Sequence, residues 1–366
     1  MRIAYVLHRQ IVPEDGVVRK ITTQVRHWRE TETVRLFAMA PGLAGETPLG
    51  AEADVFLYRS LAGRLIAARH LAAAVTRWSP DLIYLRYSTP YPFLAALVRR
   101  FPTVIEINSK DEEEARSVSR ARYVCNRVMR AGVLRPAAGF VCIAGEIAVS
   151  PGLRRFGKPA LVLGNGIDVA SVPAVPPNPD APPRLLFLGV TDAPWHGVDK
   201  ILEMARRLPD FHFDVVGLRR IDGVAGWPAN VTAHGFLAAS AYEPLLRVAD
   251  VGLGTLALHR KGMNENSPIK TREYLAAGLP VIIGYDDIDF PDRPDYILQL
   301  PNTEDNVVIH IEAVRAFVHR VKGTRVPRAI VQPRIDAAGK EQTRLAFMRQ
   351  RLVTSRCSGR RPGGDP

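Results

Sequence analysis

The chain has 366 residues, more than a single hydrophobic core usually serves, so two domains are expected, and an apolar fraction of 47% can fill both cores. A net charge of +12 calls for an anionic partner: a nucleotide, an anionic membrane surface or nucleic acid. The three cysteines, Cys125, Cys142 and Cys357, are too scattered for a disulfide framework or a zinc site and read as reduced thiols of a cytoplasmic protein. The apolar run near the N-terminus is too short for a secretory signal, and no apolar stretch reaches the ~18 residues of a membrane span, so membrane contact is expected to be peripheral.

In chain order, short β-rich runs alternate with helical patterns, the signature of parallel sheets covered by helices. The first half offers RIAYVL, TVRLFAM, DVFLY, DLIYLRY, PTVIEI, AGFVCI and ALVL as strands. Amphipathic stretches lie between them, including VVRKITTQVRHWRE, LAGRLIAARHLAAAVTRW and residues 115–132. Six prolines then fall between Val169 and Pro183, which keeps that segment out of any sheet interior and marks a surface linker.

The alternation restarts with RLLFLG, a helix from Val198 to Leu208, FHFDVVG, VTAHG, a helix around Tyr242 to Val248, DVGLGTL, the helix after Ser267, LPVIIG and YILQL. Helices follow over IEAVRAFVHRV and from about Ile335 to Leu352. The expected fold class is α/β, two doubly wound Rossmann-like domains facing each other across a cleft. The expected division is 1–170 on the acceptor side, a linker 171–183, 184–333 on the donor side, a C-terminal helix 334–352 that packs back on the first domain, and a disordered basic tail 353–366.

The stretch NENSPIKTREYLAAGLPVIIG carries the most chemistry. Ser267 suits an N-cap, Pro268 the first helical position and Gly278 the C′ position before a buried strand. This helix starts at the carboxyl edge of a parallel sheet, where open α/β sheets bind ligands and free amides attract anions. Lys270 and Arg272 in its first turns oppose the macrodipole by roughly 0.3–1 kcal/mol each, a conflict that a bound phosphate removes. Glu265 and Glu273 flank the helix start with seven residues between them, and carboxylates accept paired hydrogen bonds from vicinal hydroxyls. The inferred ligand is a nucleotide sugar.

The run Glu265, Ser267, Pro268, Lys270, Glu273, Tyr274, Gly278 and Pro280 resembles the Glu, seven residues, Glu signature of glycosyltransferase family 4, retaining enzymes of the GT-B fold. LGNGID from Leu163 to Asp168, PWHGVDKILEMA from Pro194 to Ala205, and the first strand with its Gly16 loop match in the family's order. The resemblance implies that Glu273 holds the ribose, that Glu265 contacts the donor sugar, and that the amides near Ser267, Ile269 and Lys270 face the diphosphate. Arg272, His196, Lys200, Gly217 and Asn165 join the donor side; Gly16 and Arg19 stand on the acceptor side, and Asn108 joins Glu265 as catalytic.

Where such enzymes carry an arginine and a lysine this chain has Val190 and His196, so Lys200, Lys270 or Arg272 would have to replace two cations. Asn108 stands where a histidine is common, and Gly16 is followed by Val17 in place of a second glycine. No cofactor and no metal are expected; Asp287 and Asp289 form an Asp-x-Asp that reads as a structural or solvated loop. His196 and His234 read as structural or backbone-positioning residues.

Arg116, Arg120, Arg122, Arg127 and Arg130, and Arg64, Arg69 and Arg77, crowd two segments that read as solvated faces or as a dock for anionic lipid. The expected activity is retaining transfer from a nucleotide-diphosphate sugar to a glycan, lipid-linked or other hydroxyl acceptor. The alternatives are a nucleotide-sugar epimerase of the same fold and a catalytically silent nucleotide-sugar-binding partner. Hydride transfer is disfavoured because Gly-x-Gly-x-x-Gly is missing after the first strand, and no nucleic-acid-binding module is recognisable.

Overall fold

The structure is a computed structural model that describes residues 1–12, 15–42, 53–113, 120–174, 176, 182–189, 193–218 and 227–357. Val190, much of the proline-rich segment, Arg116 and residues 358–366 of the expected tail lie outside the described residues. The chain forms two compact units, Met1–Gly164 joined by the chain from Ala338 on, and Asn165–Ala337.

The first unit is a seven-stranded parallel sheet of β1 (Arg2–His8), β2 (Thr33–Pro41), β3 (Ala53–Tyr58), β4 (Leu82–Arg86), β5 (Thr103–Ile107), β6 (Gly139–Cys142) and β7 (Ala160–Val162). Its order is β3-β2-β1-β4-β5-β6-β7, with Arg2 opposite Thr33 and Ile3 opposite Leu82. The near-continuous apolar composition of β1, β4 and β5 follows from burial on both faces. On one face Tyr5 stacks on Trp28 with ring centroids 5.5 Å apart, and Tyr84 meets Trp28 edge to face at 4.9 Å. The Ala337–Cys357 helix closes that face through Met348 and Leu352, and Trp28 Nε1 donates to its Glu341 at 2.8 Å. This helix runs to Cys357, past the point where a disordered tail was expected, because Leu352 and Ser355 are still buried.

The second unit has a six-stranded parallel sheet of β8 (Arg184–Leu188), β9 (His212–Val216), β10 (Val231–Gly235), β11 (Val251–Leu253), β13 (Val281–Ile283) and β15 (Ile297–Gln299). Its order is β10-β9-β8-β11-β13-β15, the same doubly wound order as the first sheet. A two-residue pair, β12 (Glu265–Asn266) with β14 (Asp286–Asp287), lies beside it. The helix Arg328–Ile335, absent from the sequence reading, packs on the helix Ile269–Ala277.

Gly252 sets the helix position in this unit. A Cβ there would lie 2.3 Å from the Tyr274 ring, so only glycine lets the Ile269–Ala277 helix settle onto β11. Seated this way, the Tyr274 hydroxyl accepts from Leu188 N at 2.7 Å, tying the helix to the carboxyl end of β8. Gly217 has φ +89°, and a Cβ on it would come within 1.8 Å of the Gly189 carbonyl oxygen. Gly189, just after β8, and Gly217, just after β9, therefore approach each other backbone to backbone.

Candidate nucleotide-sugar site

In the second unit the candidate site lies at the switch point between β8 and β11, where the strand order reverses and open parallel sheets commonly leave room for a ligand. The helix Ile269–Ala277 begins there and ends at Gly278, φ +89°, as the sequence predicts. Its first-turn N–H groups have no intrahelical partner by helix geometry.

Ser267 does not cap this helix. Its hydroxyl is fully buried and fully used: it accepts from Asn165 N at 2.8 Å and Arg272 Nη2 at 2.7 Å, and donates to Asp289 at 3.1 Å. A hydroxyl has one donor and two acceptor positions, so none remains for a ligand. Pro268 occupies the cap position instead. Asn165 does not reach out either, since its Nδ2 donates to the Ser267 carbonyl at 2.5 Å and braces the chain entering the helix.

The two cations of the helix part company. Arg272 is wholly buried, and its guanidinium donates to Asp287 through Nη1 and Nη2, both at 2.6 Å, and to Asp289 at 2.5 Å. These aspartates, not a phosphate, answer its charge and raise its pKa against the opposing effect of burial. The expectation that Arg272 faces the donor is therefore corrected: the helix is covered on that side and the side chain is locked. The same contacts explain the Asp-x-Asp pattern, because Asp287 is buried against Arg272 and is not part of a solvated loop.

Lys270 is different. Its residue is partly exposed, yet its Nζ is shielded from solvent and finds no hydrogen-bond partner among the described residues. The ammonium sits 4.1 Å from the centroid of the Phe187 ring, a cation–π contact with β8, and burial lowers its pKa to about 7. Phe187 was not singled out in the sequence, since a phenylalanine in RLLFLG reads only as core. The His196 ring also meets Phe187, with centroids 5.7 Å apart.

Lys200, the third cation considered, is a strut. Its Nζ donates to the carbonyls of Leu256 at 3.1 Å and Thr303 at 2.6 Å and to Asn306 Oδ1 at 3.0 Å, which exhausts its three donors. Its expected role toward a diphosphate is corrected accordingly. Of the three lysine and arginine substitutes for the missing cations, only Lys270 keeps an uncommitted charge.

The glutamates flank the same helix. Glu273 is buried and accepts from the Tyr242 hydroxyl at 2.8 Å, while Glu265 is half-buried in β12. Ile269 opens the helix, partly exposed, and Gly217 ends the neighbouring β9 turn. In the first unit Asn108 follows β5, with Nδ2 buried and without a hydrogen-bond partner among the described residues. Gly16 begins the helix Gly16–Arg29, which carries Arg19 and is capped by Asp15 accepting from Val17 N at 2.9 Å. His234 is structural as read, its Nε2 lying 2.8 Å from the buried Asp214.

Two doubly wound parallel sheets of this order define the GT-B fold, and comparison with solved structures agrees. WaaG, a glycosyltransferase involved in lipopolysaccharide biosynthesis, is similar at TM-score 0.66 and 13% identity, covering 94% of this chain and 99% of its own. HepE of Anabaena, solved in complex with UDP and glucose, is similar at TM-score 0.65 and 14% identity, covering 96% and 100%. The lipopolysaccharide outer core galactosyltransferase WaaB in its apo form is similar at TM-score 0.64 and 13% identity, covering 97% and 100%. No protein-family model and no curated protein sequence matches the chain.

Proposed function

We propose that the protein is a retaining, metal-independent glycosyltransferase of family 4 that moves a sugar from a nucleotide-diphosphate sugar to a hydroxyl of a glycan or lipid-linked acceptor. The observation that carries this reading is Lys270, a buried ammonium with no hydrogen-bond partner among the described residues, at the start of a helix on the switch point of a doubly wound sheet. A diphosphate there gains the first-turn amides and a charge-assisted bond from Lys270. Similar folds include HepE with UDP and glucose bound, which supports a nucleotide-sugar donor.

In this reading Glu273 accepts from the ribose hydroxyls and Glu265 holds the donor sugar. The bond from the anomeric carbon to the diphosphate breaks while the acceptor oxygen bonds to that carbon on the same face, and the acceptor proton passes to the leaving diphosphate. Stabilising the departing charge by the helix amides and Lys270 supplies most of the acceleration. The net charge of +12 adds an anionic membrane surface as the place of work, on the cytoplasmic side.

A panel of nucleotide sugars screened by thermal shift identifies the donor, because a ligand selective for the folded state raises its stability. With that donor, Glu273→Ala raises KM and Glu265→Ala lowers kcat, each by about ten-fold or more, as loss of a charged hydrogen bond implies. Wild-type turnover in both variants places the site elsewhere. Release of an isomerised donor without acceptor replaces transfer by epimerisation.

A further inference from the structure

The first unit carries a surface that nothing in the donor site uses. Strands β3, β4, β5 and β6 advance in one direction across the sheet, and right-handed crossovers then place the helices that join them on one face. These are Leu61–Trp78, Leu94–Arg100 and Arg120–Leu134, and the middle helix contacts both of the others. The opposite face belongs to the Gly16–Arg29 and Ala337–Cys357 helices.

These three helices contain nine arginines and no aspartate or glutamate. Arg130 is buried and paired with Asp111 at 2.6 Å. Arg69, Arg77, Arg99, Arg100, Arg120 and Arg127 are exposed, and none is ion-paired to a carboxylate among the described residues. Several surface arginines of the second unit behave otherwise: Arg206 and Arg207 pair with Glu203, Arg315 with Asp210 and Arg334 with Asp292. The charge of the three-helix face is left for an external anion.

Large apolar side chains project between those arginines. Leu61 is 83% exposed, with Leu65 one turn on and Ile66 beside it; Val128 is 75% exposed, with Val124 one turn before. Two helices of one face thus each present an apolar pair at i, i+4 next to arginine, the pattern of a helix lying in a lipid interface. Among the described residues no helix is long and apolar enough to cross a membrane, so the contact is superficial.

We propose that this face docks on an anionic lipid bilayer, with Leu61, Leu65, Ile66, Val124 and Val128 entering between headgroups and the arginines meeting lipid phosphates. The inference deepens the membrane part of the function proposed above and does not depend on sugar transfer. A second copy of the chain is disfavoured as occupant, because self-association sets unpaired arginines against unpaired arginines. A nucleic acid has use for the arginines but none for the leucine, isoleucine and valine side chains exposed beside them.

The test is sedimentation of the full chain with phosphatidylcholine vesicles, with and without phosphatidylglycerol. Partition is expected to be about ten-fold or more stronger on the anionic vesicles and to fall with added salt. Leu61→Ser with Val128→Ser, and separately Arg69→Ala with Arg120→Ala, each weaken it by about ten-fold, while Arg206→Ala with Arg207→Ala leaves it unchanged. Thermal melting and the shift produced by the nucleotide donor stay at wild-type values in all of them, which separates loss of docking from loss of fold or of the donor site. Equal partition onto both vesicle types overturns the proposal, as does wild-type partition in the face variants. It is equally overturned by tighter binding to duplex DNA of equal phosphate content, or by self-association that Leu61→Ser and Val128→Ser abolish.

Discussion

The two sheets have the same strand order but treat a buried lysine at their carboxyl ends in opposite ways. In the first unit Lys20 donates to Glu106 at 2.7 Å, and the same carboxylate accepts from Arg86 at 2.7 Å. Arg344 lies 3.6 Å from Glu106 and pairs with Glu341, so the cluster is a closed network tying the Gly16–Arg29 helix, β4, β5 and the C-terminal helix. Burial lowers the Lys20 pKa to about 8, opposed by Glu106. In the second unit the Lys270 ammonium meets, among the described residues, only an aromatic face. A lysine that the fold has answered holds elements together; one left unanswered is available to a ligand.

Arg272 repeats the lesson within a single helix, two residues from Lys270. The largest expected effect comes from breaking its network: Arg272→Met strands Asp287 and Asp289, and loss of one partner of a buried pair costs about 3–5 kcal/mol. Chemical denaturation measures it, and adding Asp287→Asn recovers part of the loss. Full stability in the single variant removes the distinction between the two cations.

Lys270→Met sharpens the comparison because its two effects have opposite signs. Donor affinity falls by about ten- to a hundred-fold, the worth of a charge-assisted hydrogen bond, as isothermal titration with the nucleotide reads out. Stability of the free protein rises by about 1–3 kcal/mol, since an unsatisfied buried polar group is removed. Lys20→Met, by contrast, leaves Glu106 short of a partner and destabilises. A destabilised Lys270→Met, or one with unchanged donor affinity, breaks the contrast.

A subtler effect lies in pH. The folded pKa of Lys270, about 7, is below the unfolded value of 10.5, so between these values the unfolded chain binds more protons and stability rises with pH. Below about pH 7 both states are protonated and the full cost of the buried charge is present. Lys20 contributes in the same direction between about 8 and 10.5. Denaturation curves across this range are expected to flatten in Lys270→Met. Donor affinity runs the other way, falling as pH rises through about 7, because the diphosphate binds the protonated ammonium. A wild-type affinity independent of pH removes Lys270 from the diphosphate.

Much of the donor-side architecture was legible from local pattern. The run from Asn264 to Gly284 announced a loop, a helix ending at Gly278 and a buried strand, and each is found. The start of that helix was misread by one step: Ser267 had the right side chain for a cap, but its hydroxyl is captured by Asn165, Asp289 and Arg272, which lie far away in sequence or a turn along. Lys200 reads as a helix-start cation, and only the arrival of Leu256, Thr303 and Asn306 shows it to be a strut.

By itself the sequence determined that the chain folds as two parallel, doubly wound sheets, because hydrophobic alternation, proline and glycine act within a few residues of themselves. It also determined that two acids and two cations gather at one helix start, since a helix brings nearby residues together by its own geometry. Only the tertiary structure decided which charges are spent. Asp287 and Asp289 reach Arg272 through the turn after β13, and Phe187 reaches Lys270 from β8. Neutralisation of a buried charge depends on groups distant in the chain, whose approach the whole sheet must set.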